Sequence, residues 1–82
     1  MAEYLLVEGT VVRAADGARL GTIKEVSGPF FKVGAMLRRA YWLHRADVNR
    51  IDRLNDVVWL SFPKIDLEDY KMEVPDYGWP AA

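Results

Sequence analysis

Short predicted strands recur along this chain at a spacing of roughly ten residues, and that spacing limits the folds it can adopt. Asp16-Gly17, Ser27-Gly28-Pro29 and Asn55-Asp56 separate short apolar segments. None of these segments carries a helical period longer than about two turns. Short strands joined by tight turns are typical of small β-barrels and sandwiches. Because 82 residues leave room for one core only, we expect a single all-β domain.

The predicted strands lie between these turns. Residues 57–62 form the clearest strand, in which Val58, Leu60 and Phe62 share one face and should point into the core. In the hairpin predicted at 29–34 and 40–44, Tyr41 and Leu43 lie on one face, and Trp42 and His44 lie on the other. The remaining strands are predicted at 10–14 and 19–26.

The second strand departs from a flat strand pattern. Its apolar residues Leu20, Ile23 and Val26 fall three positions apart, and a flat strand cannot place all of them on one face. Gly21 lies among them and favours a bulge or sharp bend. We therefore expect the sheet to be strongly coiled at this point, as small barrels require.

Two further segments are interpreted as helical turns. Val48 and Ile51 have the same three-residue spacing, which suggests that residues 45–51 form a helical turn that plugs one end of the barrel. After Pro63 ends the last strand, residues 66–70 are expected to form another turn with Asp66 as its N-cap.

Several short motifs recur together in one known family of small barrels. They are Gly9-Thr10-Val11-Val12, Asp16-Gly17-x-x-Leu20-Gly21-x-Ile23, Val48-x-x-Ile51 and Val58-x-Leu60. Taken together, they resemble the PRC-barrel family, which includes the photosynthetic reaction-centre H subunit, a ribosome maturation factor and other bacterial proteins. The resemblance covers approximately residues 6–63. It implies a small, strongly coiled antiparallel β-barrel of about five or six short strands, with an adaptor or assembly role and no catalytic residues.

The chain departs from this family pattern at His44-Arg45, where members often carry a proline before the plug. Beyond the resembling region, the composition becomes acidic and aromatic. We therefore divide the chain into a PRC-barrel-like domain at 1–63 and a C-terminal extension at 64–82, which we expect to dock on the barrel or on a partner.

Charge is unevenly distributed, although the formal net charge is only -1. Residues 32–53 contain six basic and two acidic residues and carry +4, whereas residues 54–82 contain two basic and six acidic residues and carry -4. The basic stretch also holds Phe30, Tyr41 and Trp42 within or beside it, a mixture that single-stranded RNA binders use. The alternative is that the acidic segment folds back on the basic one, within the molecule or across a dimer.

Exposed side chains in these two regions are the candidate partner contacts. Tyr70, Tyr77 and Trp79 in the extension either pack on the chain's own barrel, which we favour, or serve as a linear peptide for a partner. The complete set of candidate contacts is Lys32, Arg38, Arg39, Trp42, His44, Arg45, Tyr77 and Trp79.

The residues offer little for catalysis or for cofactor binding. There is no cysteine and His44 is the only histidine, so we expect no metal site and no cofactor. The acidic residues of the extension lack the spacing of a calcium loop, and no glycine pair precedes Lys-Ser or Lys-Thr as in a phosphate loop. Without a signal peptide or apolar span, we expect a cytoplasmic protein that does not insert into membranes.

We therefore predict a non-catalytic binding or adaptor module that mediates protein–protein contacts or assembly, for which a homodimer is one arrangement. The first alternative is an RNA- or ribosome-associated protein that uses the basic hairpin. A small enzyme is the second alternative and is the one the residues favour least, because no acid pair or nucleophile is placed on regular structure. No small-molecule substrate is expected.

Overall fold

The computed structural model describes residues 6–73 as one curled β-sheet with a short helical segment after it. The sheet has six strands in the order β4-β3-β2-β1-β6-β5 and forms a half-barrel, which confirms the all-β fold class. The strands are β1 (Val11–Arg13), β2 (Arg19–Ser27), β3 (Phe30–Gly34), β4 (Tyr41–His44), β5 (Val48–Asp52) and β6 (Val57–Leu60).

Four of the five strand pairs are antiparallel, and the fifth is parallel. β1 through β4 form a meander of consecutive antiparallel strands, and β5 pairs with β6 in the same way. β1 and β6 run parallel, with Val11 opposite Val57 and Val12 opposite Val58. The sheet is therefore mixed, and the parallel pair joins the early meander to the late hairpin.

β2 contains the bend predicted from the sequence. Its register against β1 shifts so that Leu20 is passed over, and its register against β3 shifts so that Lys24 is passed over. Each extra residue reverses which side chains face the core beyond it. Leu20 and Ile23 are therefore both buried despite their three-residue spacing.

A close backbone approach explains the glycine in this bend. Gly21 has φ +151°, and a Cβ added there would lie 2.9 Å from the carbonyl carbon of Gly34 and closer still to its oxygen. No side chain fits between the two backbones.

The helical plug predicted at residues 45–51 is wrong in most of its length. Only Arg45–Asp47 form a 3₁₀ turn, and none of its residues is buried. Val48 and Ile51 belong instead to β5, where they pair with Leu60 and Val58. The register shift between Val48 and Arg50 turns both apolar side chains toward the core, so their spacing reflects a bulge and not a helix.

The core fills the concave side of the sheet. Val58, Leu60 and Phe62 all face it, as predicted. The buried cluster in the described residues consists of Leu6, Val12, Ala14, Leu20, Ile23, Phe31, Val33, Leu43, Val58, Leu60 and Phe62.

After β6, a 3₁₀ turn at Lys64–Asp66 leads into α1 (Leu67–Tyr70). Asp66 occupies the N-cap position of α1, but its side chain makes no capping hydrogen bond, so the predicted cap is only positional. Leu67 packs against the core from this segment. No helix within residues 6–73 is long and apolar enough to cross a membrane.

Candidate functional site

A cleft of about 690 Å³ opens where three separate parts of the chain meet. One wall is the start of β2, the second is the loop at residues 35–40 between β3 and β4, and the third is the 3₁₀ turn with α1. The less exposed lining residues Leu20, Tyr41 and Leu67 form an apolar floor. We call this site the basic cleft because its rim carries Arg19, Arg38, Arg39, Lys64 and Lys71.

The carboxylates at the basic cleft neutralise only part of its positive charge. Lys71 pairs with Glu68, the one acidic residue that residues 6–73 contribute to the lining, with Nζ 3.0 Å from Oε2. Arg39 reaches Glu73 just outside the lining, at 3.4 Å, and both side chains of that pair are more than four-fifths exposed.

The remaining rim cations have no such partner among the described residues. Within residues 6–73, Arg19, Arg38 and Lys64 form no ion pair with a carboxylate. Exposed pairs such as the two at this site hold their partners weakly. The cleft therefore presents a concentrated positive potential, although the chain as a whole is close to neutral.

Tyr41 is a neutral phenol at the floor of the basic cleft. Burial raises its pKa to about 12, and the nearby positive charge of Arg38 opposes that increase. The ammonium of Lys71 lies 5.7 Å from the ring centroid. Because this ring forms part of the floor, it offers the cleft an apolar surface with adjacent cations.

The loop at residues 35–40 carries the most exposed apolar side chains near the cleft. The Arg38 amide donates to the Ala35 carbonyl at 3.2 Å, which closes a tight turn. Met36 and Leu37 at its centre are 87% and 98% exposed, and Leu37 has φ +63°. Leu37 also lines the basic cleft.

Of the predicted contact residues that fall within residues 6–73, only Arg38 and Arg39 line the basic cleft. Trp42 is 8% exposed, and its backbone exchanges hydrogen bonds of 2.7 and 2.9 Å with Met72. Lys32 lies across from Trp42 on β3, with its Nζ 5.9 Å from the ring centroid. The segment after α1 therefore pairs with the edge of β4 at Trp42.

His44 and Arg45 hold the corner between β4 and the 3₁₀ turn. The Ala46 amide donates to Nδ1 of His44 at 2.8 Å, and the imidazole meets the Phe30 ring edge-on with centroids 5.1 Å apart. The Arg45 amide donates to the Pro29 carbonyl at 2.7 Å. Both residues therefore have structural contacts at a distance from the cleft lining.

Asp47 lies three residues after this histidine. Burial raises the pKa of the Asp47 carboxyl, against the lowering effects of a backbone hydrogen bond at His44 and of the imidazole charge. No group of three or more histidine, cysteine or acidic residues in the part of the chain described is arranged to hold a metal ion. Tyr77 and Trp79 lie outside the described residues.

The outer face of the sheet holds a second polar feature. Arg50 on β5 lies over the Trp59 ring on β6, with its guanidinium carbon 5.0 Å from the centroid. The Trp59 Nε1 is buried and has no hydrogen-bond partner among residues 6–73.

Sequence reasoning missed part of the basic cleft. The sequence pattern places Arg19 in a strand, and Lys64 and Lys71 lie in a segment whose net charge is negative. Comparison with known proteins adds no further candidate residue. No protein-family model, curated protein or solved structure matches this chain. Function is therefore inferred from the cleft, its charges and its exposed side chains.

Proposed function

We propose that this chain is a PRC-barrel-like, non-catalytic module that makes protein–protein contacts by binding acidic segments of a partner in the basic cleft. The observation that supports this most directly is the combination of a cationic rim with an apolar floor. Arg19, Arg38 and Lys64 have no carboxylate partner within residues 6–73, and Leu20 and Leu67 lie beneath them. A chain segment with acidic and apolar side chains would satisfy both parts of this surface.

Burial of the aromatic residues favours a protein partner over RNA. Single-stranded RNA is bound by aromatic rings whose faces are open for base stacking. Phe30 is 2% exposed, Trp42 is 8% exposed, and Tyr41 packs partly against the core. Phe30 and Trp42 are therefore closed to base stacking and Tyr41 is only partly open, so RNA becomes an outcome that the experiment must distinguish.

The donor set of the cleft also suits binding better than proton transfer. The lining carboxylate, Glu68, is 3.0 Å from Lys71, and the phenol of Tyr41 stays protonated at physiological pH because its pKa is about 12. A general base at neutral pH would need a free group that titrates near that pH. The arrangement thus supports electrostatic recognition of an anionic ligand.

The experiment compares two labelled probes by fluorescence anisotropy at low and moderate salt. The probes are a peptide of alternating glutamate and leucine and a single-stranded oligouridine RNA. We expect the peptide to bind more tightly, with an affinity that falls as salt is raised. Arg38→Glu should weaken peptide binding by about tenfold or more, because it places a negative charge on the rim.

Arg50→Glu is the matched control. It makes the same change of charge at another exposed arginine, which lies on β5 outside the cleft lining. It should leave peptide affinity within about twofold of the parent. Equal losses in both variants would show a nonspecific charge effect, and tighter binding of the RNA would replace the protein-binding proposal with the RNA alternative.

A further inference from the structure

The tip of the loop at residues 35–40 carries an apolar residue whose side chain is not buried and so adds no stability to the isolated chain. Leu37 is 98% exposed and occupies the third position of the turn that Ala35 and Arg38 close. Its φ of +63° lies in the left-handed region, where glycine and asparagine are preferred at this turn position. Neither burial nor backbone preference in residues 6–73 accounts for a leucine here.

The position of Leu37 beside the basic cleft suggests a reason for a leucine at this turn. Leu37 lines the cleft together with the apolar floor residues Leu20, Tyr41 and Leu67. A side chain bound between Leu37 and this floor would remove apolar surface from water on both of its sides. The neighbouring Arg38 and Arg39 would lie beside the residues that flank such an anchor.

We infer that Leu37 clamps an apolar side chain of the bound segment, so the ligand class is a short acidic stretch with one bulky apolar anchor. This inference rests on the proposed function, since it specifies the ligand of the same cleft. Strained residues with exposed side chains are common at binding sites, where the ligand supplies the contacts that the free protein lacks.

Charge argues against a second copy of this chain at this surface. Docking the loop of one copy into the cleft of another would bring Arg38 and Arg39 against the partner copy's rim cations, Arg19 and Lys64 among them. Like charges placed together at an interface are strongly unfavourable. A flat membrane surface is also a poor match, because it cannot reach a recessed floor beside the exposed loop.

The test begins with a displayed library of random linear peptides selected on the full chain. We expect the selected peptides to carry leucine, isoleucine, methionine or an aromatic residue flanked by aspartate or glutamate. The binding of individual selected peptides is then measured by titration calorimetry over a series of salt concentrations. Anionic and neutral phospholipid vesicles are tested in parallel by co-sedimentation.

Three variants separate the clamp from the charges. Leu37→Asn retains a residue suited to positive φ but loses the apolar side chain, and it should weaken peptide binding by about tenfold with an unchanged salt dependence. Leu37→Met keeps a flexible apolar side chain and should bind nearly as the parent does. Leu54→Asn is the matched control, because Leu54 is 92% exposed and lies outside the basic cleft.

Each outcome bears on a different level of the proposal. Acidic peptides that bind Leu37→Asn as tightly as the parent would overturn the clamp and leave the proposed function standing. Selection without acidic enrichment, or no selected binder, would overturn both. Leu37-dependent binding to anionic vesicles in the absence of a peptide would assign the loop to lipid and would also overturn the clamp.

Discussion

The Tyr70 ring lies flat against the Phe62 ring, with centroids 4.0 Å apart and ring planes 3° from parallel. Phe62 is buried just after β6, whereas Tyr70 is 41% exposed at the end of α1. The stack therefore joins the helical segment to the core at the point where the chain leaves the sheet. Since Leu67 and Lys71 line the basic cleft, this contact also positions one of its walls.

Tyr70→Ala should lower the free energy of unfolding by about 1–2 kcal/mol, because it removes the stacked ring and exposes Phe62. Urea unfolding followed by tryptophan fluorescence measures the change. Tyr70→Phe keeps the ring and should remain within about 0.5 kcal/mol of the parent. If the alanine variant were equally stable, the stack would not be what holds α1 in place.

Leu37→Asn should stabilise the free protein even though it is expected to weaken binding. Asparagine tolerates positive φ better than leucine, so the gain should be about 0.5–1 kcal/mol, or a few degrees in Tm. Thermal unfolding monitored by circular dichroism measures it. Leu54→Asn makes the same replacement at a residue whose φ is not positive, and it should leave Tm nearly unchanged. A lower Tm for Leu37→Asn would contradict backbone strain at this turn.

Gly21→Ala should destabilise the chain by about 2 kcal/mol or more, because its new Cβ would meet the Gly34 backbone and its φ is positive. Gly34→Ala is the matched comparison. There the nearest atom is Cγ of Lys24, at 2.8 Å on a flexible side chain, and φ is not in the positive range. In denaturant unfolding, the free energy of unfolding of Gly21→Ala should be well below that of Gly34→Ala. The reverse order would contradict this account of the bend.

Stability should fall as pH rises from about 10 to about 12, in part because of Tyr41. Its pKa is about 12 in the folded chain and is expected near 10 in the unfolded chain, so the folded state holds the phenolic proton longer. Raising the pH through this window therefore favours unfolding. Since the ring is only partly buried, solvent screening should limit the loss to about 1 kcal/mol. The stability of Tyr41→Phe should decline less steeply than that of the parent when unfolding is measured between about pH 10 and 12. Equal slopes for the two proteins would contradict the raised pKa of Tyr41.

His44→Ala should cost about 1 kcal/mol of stability, because the Ala46 amide would lose the acceptor that begins the 3₁₀ turn. His44→Asp offers a carboxylate acceptor at the same position and should recover part of the loss. Chemical unfolding of the three proteins tests this order. An alanine variant as stable as the parent would mean that the hydrogen bond contributes nothing measurable.

Local sequence patterns predicted the strands well where the alternation of apolar residues and the flanking turn residues indicated the same strand. Val58, Leu60 and Phe62 face the core as their alternation indicates, and the bend in β2 lies at Gly21. The same three-residue spacing at Val48 and Ile51 was interpreted as a helix, because no glycine there signals a bulge. The register shift that brings both onto one face of β5 depends on pairing with β6, which no local pattern contains.

The basic cleft was harder to predict because it is assembled from residues that are distant in sequence. The continuous basic stretch at residues 32–53 contains Arg38 and Arg39, yet Arg19 and Lys64 come from either side of it. The alternation in β4 predicts Trp42 as a contact, but its side chain is only 8% exposed and its backbone pairs with Met72. The strain at Leu37 follows from turn geometry, and a leucine between methionine and arginine does not reveal it.

The parallel pair of β1 and β6 limits the order in which the strands can pair while the chain is being synthesised. Val11 and Val57 lie opposite each other although they are 46 positions apart. The edge of β1 that faces away from β2 therefore has no neighbouring strand until β6 has left the ribosome. The β1–β4 meander relies on short hairpins and can form earlier. Synthesis thus passes through a stage with an open strand edge, the kind of surface on which unfinished chains aggregate.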